Sequence, residues 1–199
     1  MPIAEDTKQL YENYIQPRKD TMIPALAMAA EQGSFLLKGM AVEVDGKGIL
    51  FCGPRGSGKT PVYEEFAERD NARPVSRKVC PIYYGEGTYL LYPALSTGDT
   101  QHGMVAEEPV PLSCIVGLSS EHGNPWITDD FPERHLDSNL MHIYRHAGLA
   151  AAKETLMLIL ESFPQFHFYG GRESGGGIVS PDAYANHITK ELHARKILS

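Results

Sequence analysis

Eight consecutive residues, Gly53-Pro54-Arg55-Gly56-Ser57-Gly58-Lys59-Thr60, carry the strongest chemical signal in the chain, because they satisfy GxxxxGK[ST] at every fixed position. The chemistry of that pattern is phosphate binding. Its glycines let the backbone turn N–H groups inward around an anion, where a side chain or a disfavoured dihedral would stand in the way. A helix starting at the end of the turn adds about half a positive charge at its N-terminus. Lys59 is placed to reach the β and γ phosphates, and the Thr60 hydroxyl to ligate Mg²⁺. ATP or GTP is the expected ligand, with Mg²⁺ as its accompanying ion.

Such a turn works only between a strand and a helix, and the flanking sequence reads that way. "FLLKGMAVEV" and "KGILFCG" are strand candidates separated by Asp45-Gly46, a dipeptide that favours a tight hairpin turn. After the turn "TPVYEEFAERDN" reads as a helix, with Pro61 in the first turn, where no intrahelical N–H bond is lost. Further strands are expected at Val79 to Tyr84, Thr88 to Tyr92 and Leu112 to Leu118. A helix is expected over 138–163, with Gly148 as a possible break, then a strand at "QFHFYGG" and a last helix from Pro181 to Ile197. Residues 5–32 look helical at the start and around "IPALAMAAEQG". The mixture predicts an α/β fold with at least one strand-turn-helix unit.

Other residues offer chemistry with an ordinary reading beside it. Asp129-Asp130 could supply a metal ligand or base, or be a solvated turn or helix cap. His142 and His146 stand at i, i+4, a spacing that permits shared metal binding, though surface or core histidines look the same. Arg172-Glu173-Ser174 opens the glycine-rich stretch "RESGGGIVSP", either a mobile cationic lid or a solvated loop. Glu86, Asp99, Glu107 and Glu108 are further carboxylates within reach of a phosphate chemistry in sequence terms.

The stretch "KGMAVEVDGKGILFCGPRGSGKT" resembles the core of the HPr kinase family, bacterial P-loop kinases related in fold to phosphoenolpyruvate carboxykinase. In that family a strand pair joined at DGxG leads into the P-loop. "YPALSTGD" (92–99) is similar to a proline-bearing segment after the family's acidic motif, "VPLSCIVGLS" (110–119) to its next core strand, and "FHFYGG" (166–171) to its last strand. The similarity covers about residues 34–171. It implies a mixed sheet with a P-loop; the chain is expected to be a single P-loop domain over 1–199, with a helical extension over 1–33 and a mobile loop and terminal helix over 172–199 lying outside the resemblance. It also implies transfer of the γ-phosphoryl of ATP to a hydroxyl of a protein, peptide or small molecule.

Two positions depart from the family. Its kinases usually carry a histidine at the start of the first strand, where this chain has Lys38 and Gly39. They also carry an Asp-Asp pair after the P-loop helix, where this chain has Arg77-Lys78, and no Asp or Glu lies between Asn71 and Gly85. Arginine and lysine cannot bind Mg²⁺ or take a proton from a hydroxyl at neutral pH. Arg77 and Lys78 are therefore either phosphate-facing cations in a site of altered chemistry, or a solvated strand end. The alternative to an active kinase is a catalytically degenerate nucleotide- or phosphate-binding regulatory protein.

With 199 residues, 42% of them hydrophobic, the chain can form one globular domain with a sizeable core. A formal net charge of -7 argues against sequence-independent nucleic-acid binding, which depends on neutralised phosphates. Three widely spaced cysteines, Cys52, Cys80 and Cys114, point to buried thiols rather than a disulfide framework or zinc site. With neither a signal-peptide pattern nor an apolar run of membrane-spanning length, a cytoplasmic protein without membrane partners is expected.

Overall fold

The computed structural model describes residues 35–85, 87–93, 106–120, 126–129, 149–170 and 180–199. The helices expected before residue 33, Glu86, Asp99, Asp130, His142, His146 and the Arg172-Glu173-Ser174 loop lie outside these residues.

The hairpin forms where Asp45-Gly46 predicts it. β2 (Met40–Val44) and β3 (Lys47–Cys52) are antiparallel, and Val44 faces Lys47 across the turn. Asp45 and Gly46 have φ of 50° and 77°, the two left-handed residues that match the right-handed twist of the flanking strands. Beyond the exposed Lys47, all of β3 is buried, the signature of a strand covered on both faces. "FLLKGMAVEV", expected as one strand, is two. β1 (Phe35–Leu37) pairs with β5 (Cys80–Gly85), while β2 pairs with β3 and β4 (Ala72–Ser76), so the chain changes partners at Lys38-Gly39. Gly39 permits this corner, since a Cβ there would stand 2.9 Å from the Phe51 carbonyl oxygen.

The helix expected to run on to Asn71 ends earlier: α1 spans Lys59–Ala67, and β4 follows almost at once. The Ala72 amide bonds back to the Arg69 carbonyl at 3.0 Å, and the Asp45 amide donates to the Asn71 carbonyl at 3.1 Å, so the hairpin turn captures the chain as it leaves the helix. β4 contains Pro74, which a strand at the sheet edge tolerates.

The organising strand is β7 (Val110–Ser120), longer than the Leu112 to Leu118 expected. It runs parallel to β3 along one edge. Its other edge is shared between β6 (Thr88–Leu91), antiparallel near Val110, and β9 (Gln165–Gly170), parallel from Ile115 onward. β8 (Trp126–Thr128), a three-residue strand, is antiparallel to β9. Described residues thus form a nine-stranded mixed sheet, β1-β5-β6-β7-β3-β2-β4 with β9 and β8 branching from β7.

Two cores follow from the alternation of β3 and β7. Ile49, Phe51, Cys114, Val116 and Leu118 point to the face covered by α1 and by α3 (Pro181–Ala194). Leu50, Cys52 and Ile115 point the other way, joined by Leu112 because the register of β7 shifts between Leu112 and Cys114, toward Leu37, Ile82 and Leu91 and toward α2 (Leu149–Ser162), which contributes Leu156, Ile159 and Leu160. α3 is capped at its start by Ser180, whose hydroxyl accepts from the Ala183 amide at 3.2 Å, with Pro181 just inside. Arg69 ties α1 to α3 through Thr189 at 2.6 Å and Asn186 at 3.2 Å. No helix among the described residues is long and apolar enough to cross a membrane.

Gly170, at the end of β9, lies so close to Tyr184 that a Cβ would stand 1.6 Å from its hydroxyl oxygen. Gly170→Ala should therefore overpack this contact and cost about 1–3 kcal/mol, a fall in Tm of roughly 3–10 °C for a chain of this size. Tyr184→Ala in the same background should recover part of that loss. Strictly additive losses in thermal melts of the two single mutants and the double would contradict the contact.

Candidate functional site

The glycine turn sits at the carboxyl end of β3 and is shaped by one close approach. Gly53 has φ of 145°, and a Cβ there would stand 2.2 Å from the Leu118 carbonyl oxygen of β7. Only glycine lets the chain leave β3 while pressed against its parallel neighbour. Gly56 and Gly58, with φ of 83° and 87°, would meet nothing within 4 Å of an added Cβ. The same type of residue thus serves two needs: room at Gly53, backbone direction at Gly56 and Gly58.

Helix α1 begins at Lys59 behind a left-handed Gly58, with no side-chain cap and no acidic residue in its first turn. This N-terminus offers its dipole to an anion rather than to a side chain of its own. Pro61 falls in the first turn, and the first intrahelical bond runs from the Val62 amide to the Gly58 carbonyl at 3.2 Å. Lys59 folds over the turn: its Nζ donates to the Gly53 and Pro54 carbonyls, both at 2.7 Å, and to the Ser57 hydroxyl at 3.2 Å. Burial holds its ammonium below the ordinary lysine value, and the positive charge of Lys38 pushes the same way against an opposing effect of Cys52. Arg55 and Thr60 are exposed and Pro54 is half-buried on the outer side of the turn.

Lys38 is brought here by topology. β2 starts beside the end of β3, Met40 facing Phe51, so the Lys38-Gly39 corner lies at the glycine-turn end of the sheet. β4 runs parallel to β3 through β2, so Ser76 and the corner Arg77-Lys78-Val79 lie at this end too. The buried Ser76 hydroxyl and Cys80 thiol meet at 2.7 Å and close that corner. Arg77 reaches α1, where its Nη2 donates to Glu64 Oε1 at 2.5 Å, and Lys78 is exposed. Glu64 stands five residues after Lys59, about 7.5 Å along the helix axis, which places the guanidinium beside the helix flank.

The carboxylates considered from sequence go elsewhere. Asp129 follows β8, which runs away from the glycine turn, and accepts from Arg195 Nη2 at 2.5 Å. Glu107 and Glu108 precede β7 and are exposed at the opposite, hairpin end. Among the described residues, no group of three His, Cys, Asp or Glu side chains could hold a metal ion. By its pattern the glycine turn suits phosphate, and Thr60 carries the one hydroxyl in the first turn of α1.

Sequence reasoning passed over a buried polar pair and an aromatic stack at the same rim. His167 Nε2 lies 2.9 Å from the Ser119 hydroxyl, the two residues 0% and 4% exposed on neighbouring parallel strands. Tyr169 packs against His167 with ring centroids 4.5 Å apart, and Trp126 lies flat on Tyr169 at 4.0 Å and 5°. The available signal was the alternation His167, Tyr169 in "FHFYGG", which puts both on one face of a strand.

No protein-family model matches the chain, and no curated protein does. Among solved structures it is similar to the Hpr(Ser) kinase/phosphatase from Coxiella burnetii, at 11% identity and a TM-score of 0.42, over 81% of this chain and 94% of that one. The likeness is distant.

The three cysteines are free and buried, Cys52 directly beneath the glycine turn. Burial pushes the thiols of Cys80 and Cys114 up to about 12 from an ordinary 9.0, and Cys52 higher still, with Cys80 adding to its shift. These raised values keep the buried thiols neutral well above pH 9, and because the unfolded thiols ionise from about pH 9, the associated stability is full below that pH and is lost progressively as pH rises from about 9 to 12. Native protein at pH 8 should therefore resist a thiol-labelling reagent, and denatured protein should take up three equivalents. Rapid labelling of the native fold by even one equivalent would contradict this placement.

Proposed function

We propose that Gly53 to Thr60 binds the β and γ phosphates of a nucleoside triphosphate, ATP or GTP. The observation that carries the reading is the uncapped N-terminus of α1 behind glycines of positive φ, with Lys59 Nζ held over the turn by its carbonyls. Backbone donors, helix dipole and ammonium belonging to one turn would suit a polyanion. Lys59 would exchange its carbonyl partners for phosphate oxygens. Thr60 would ligate Mg²⁺, which when bound would offset the charge of the phosphates.

Calorimetric titration of ATP, GTP and ADP into wild type and Lys59→Ala tests this. Loss of a charge-assisted contact of about 1.5–3 kcal/mol should weaken binding by roughly 10- to 150-fold in the mutant. Indistinguishable isotherms, or no heat with wild type at millimolar nucleotide, would refute it.

On this reading the chain is an HPr-kinase-like protein whose phosphoryl transfer, if it acts on a hydroxyl of a protein, peptide or small molecule, is slow. Arg77-Lys78 in the place of an acidic pair favours the second reading, a nucleotide-responsive regulatory protein of degenerate catalysis. Cations at the strand end would neutralise phosphate charge without accepting a proton. Arg77→Ala and Lys78→Ala should each weaken nucleotide binding, most of all with a chelator present, while Glu64→Gln, which removes the negative charge that Arg77 meets on α1, should strengthen it under the same conditions. Unchanged affinity in all three mutants would leave the pair as surface charge, and a turnover above about 1 s⁻¹ would restore the kinase reading.

A further inference from the structure

Trp126 is the chain's single tryptophan, and it is half exposed, at 50%, despite its size. It is not loose. One face of the indole rests on Tyr169, parallel to within 5°, and Tyr169 is itself 6% exposed and braced by His167. His167 is held in turn by Ser119 on β7. A buried hydrogen-bonded pair therefore fixes a ring, and that ring fixes the indole plane, so the exposed half of Trp126 is presented in one orientation. A large aromatic surface left in water is unfavourable unless something covers it.

Strand order places this surface on the rim that carries the glycine turn. β3, β7, β9 and β8 are successive neighbours. Gly53 packs on the Leu118 carbonyl, Ser119 faces Tyr169, and Tyr169 faces Trp126, all near the carboxyl ends of the three parallel strands. With about 4.8 Å between adjacent strands, the Trp126 backbone lies roughly 14 Å along the rim from the turn, and since Ile127 packs toward the α1 side, the indole stands on the opposite face of that rim. A ribose and base extending from phosphates at the turn cover a distance of that order. Ligands of such sheets gather in the crevice outside the carboxyl ends of the strands.

We propose that the exposed part of the Trp126 indole is the stacking surface for the base of the bound nucleotide. This inference rests on phosphate binding at Gly53 to Thr60, and it extends the site over β7 and β9 to β8. Stacking uses the π-face common to every base, so the surface accepts adenine and guanine alike.

The experiment titrates ATP, GTP and inorganic triphosphate, each with Mg²⁺, into wild type, Trp126→Ala, Trp126→Phe and Lys59→Ala, after thermal melts show that each variant is folded. In wild type, ATP and GTP should quench tryptophan fluorescence, and inorganic triphosphate should bind without quenching. Trp126→Ala should bind ATP and GTP on the order of tenfold more weakly and inorganic triphosphate as wild type does, while Trp126→Phe keeps most of the affinity. Equal ATP affinity in wild type and Trp126→Ala, with binding still lost in Lys59→Ala, would overturn the inference and leave phosphate binding standing. If that result came with a change of oligomeric mass in Trp126→Ala, the surface would belong to a second copy of the chain. Failure of both ATP and inorganic triphosphate to bind wild type would overturn the phosphate reading and this inference together.

Discussion

The parallel pairing of β3 with β7 is the contact on which the candidate site depends. It buries β3 on both faces and sends alternate residues into two different cores. It also brings the Leu118 carbonyl against the Cα of Gly53, so the chain can leave the sheet there only through a residue without a side chain. The exit direction then sets where α1 starts. Val62, Tyr63 and Phe66 bury that helix in the core it shares with Phe51 and Phe168, and Phe51 and Phe66 meet at 5.3 Å between ring centroids. A turn of eight residues is thus anchored at both ends, by a backbone contact before it and by a packed helix after it.

The parts of this arrangement legible in the sequence were those set by local chemistry. Asp45-Gly46 specified a hairpin because few other residues accept two successive left-handed conformations. The glycine turn was legible because its pattern has fixed spacing, and Pro181 marked the start of α3 for the same kind of reason. What escaped was decided by partners distant in the chain. β4 holds an arginine and a proline in five residues and is a strand because β2 offers it an edge, with Arg73 paired to Glu43 at 2.5 Å. The break at Lys38-Gly39 arises because β5 claims β1 while β3 claims β2, a competition that no window of ten residues contains. Three-residue β8 exists only through its pairing with β9. The rim residues Ser119, His167, Tyr169 and Trp126 come from three strands, and their juxtaposition is a property of strand order rather than of any motif.

Strand order also explains why positive charge gathers at one end. The chain passes between the β2-β3-β4 strands and the β1-β5-β6 strands twice, at Lys38-Gly39 and at Arg77-Lys78-Val79, and both crossings fall beside the carboxyl end of β3. Lys38 and Lys78 have left one strand ladder without joining the next and stand exposed at the rim, while Val79 turns back into the core. The first corner places Lys38 close enough to depress the proton affinity of Lys59. At the second, Arg77 is shared with Glu64 on α1, which ties the corner to the flank of the helix whose N-terminus heads the site. Two like charges near one turn are unfavourable until something negative arrives, and a polyphosphate relieves that repulsion as well as meeting each cation. Burial is the first cause of the lowered proton affinity of Lys59, and Lys38 adds a smaller push in the same direction, so the corner and the turn are electrostatically coupled by the strand order that brings them to one rim.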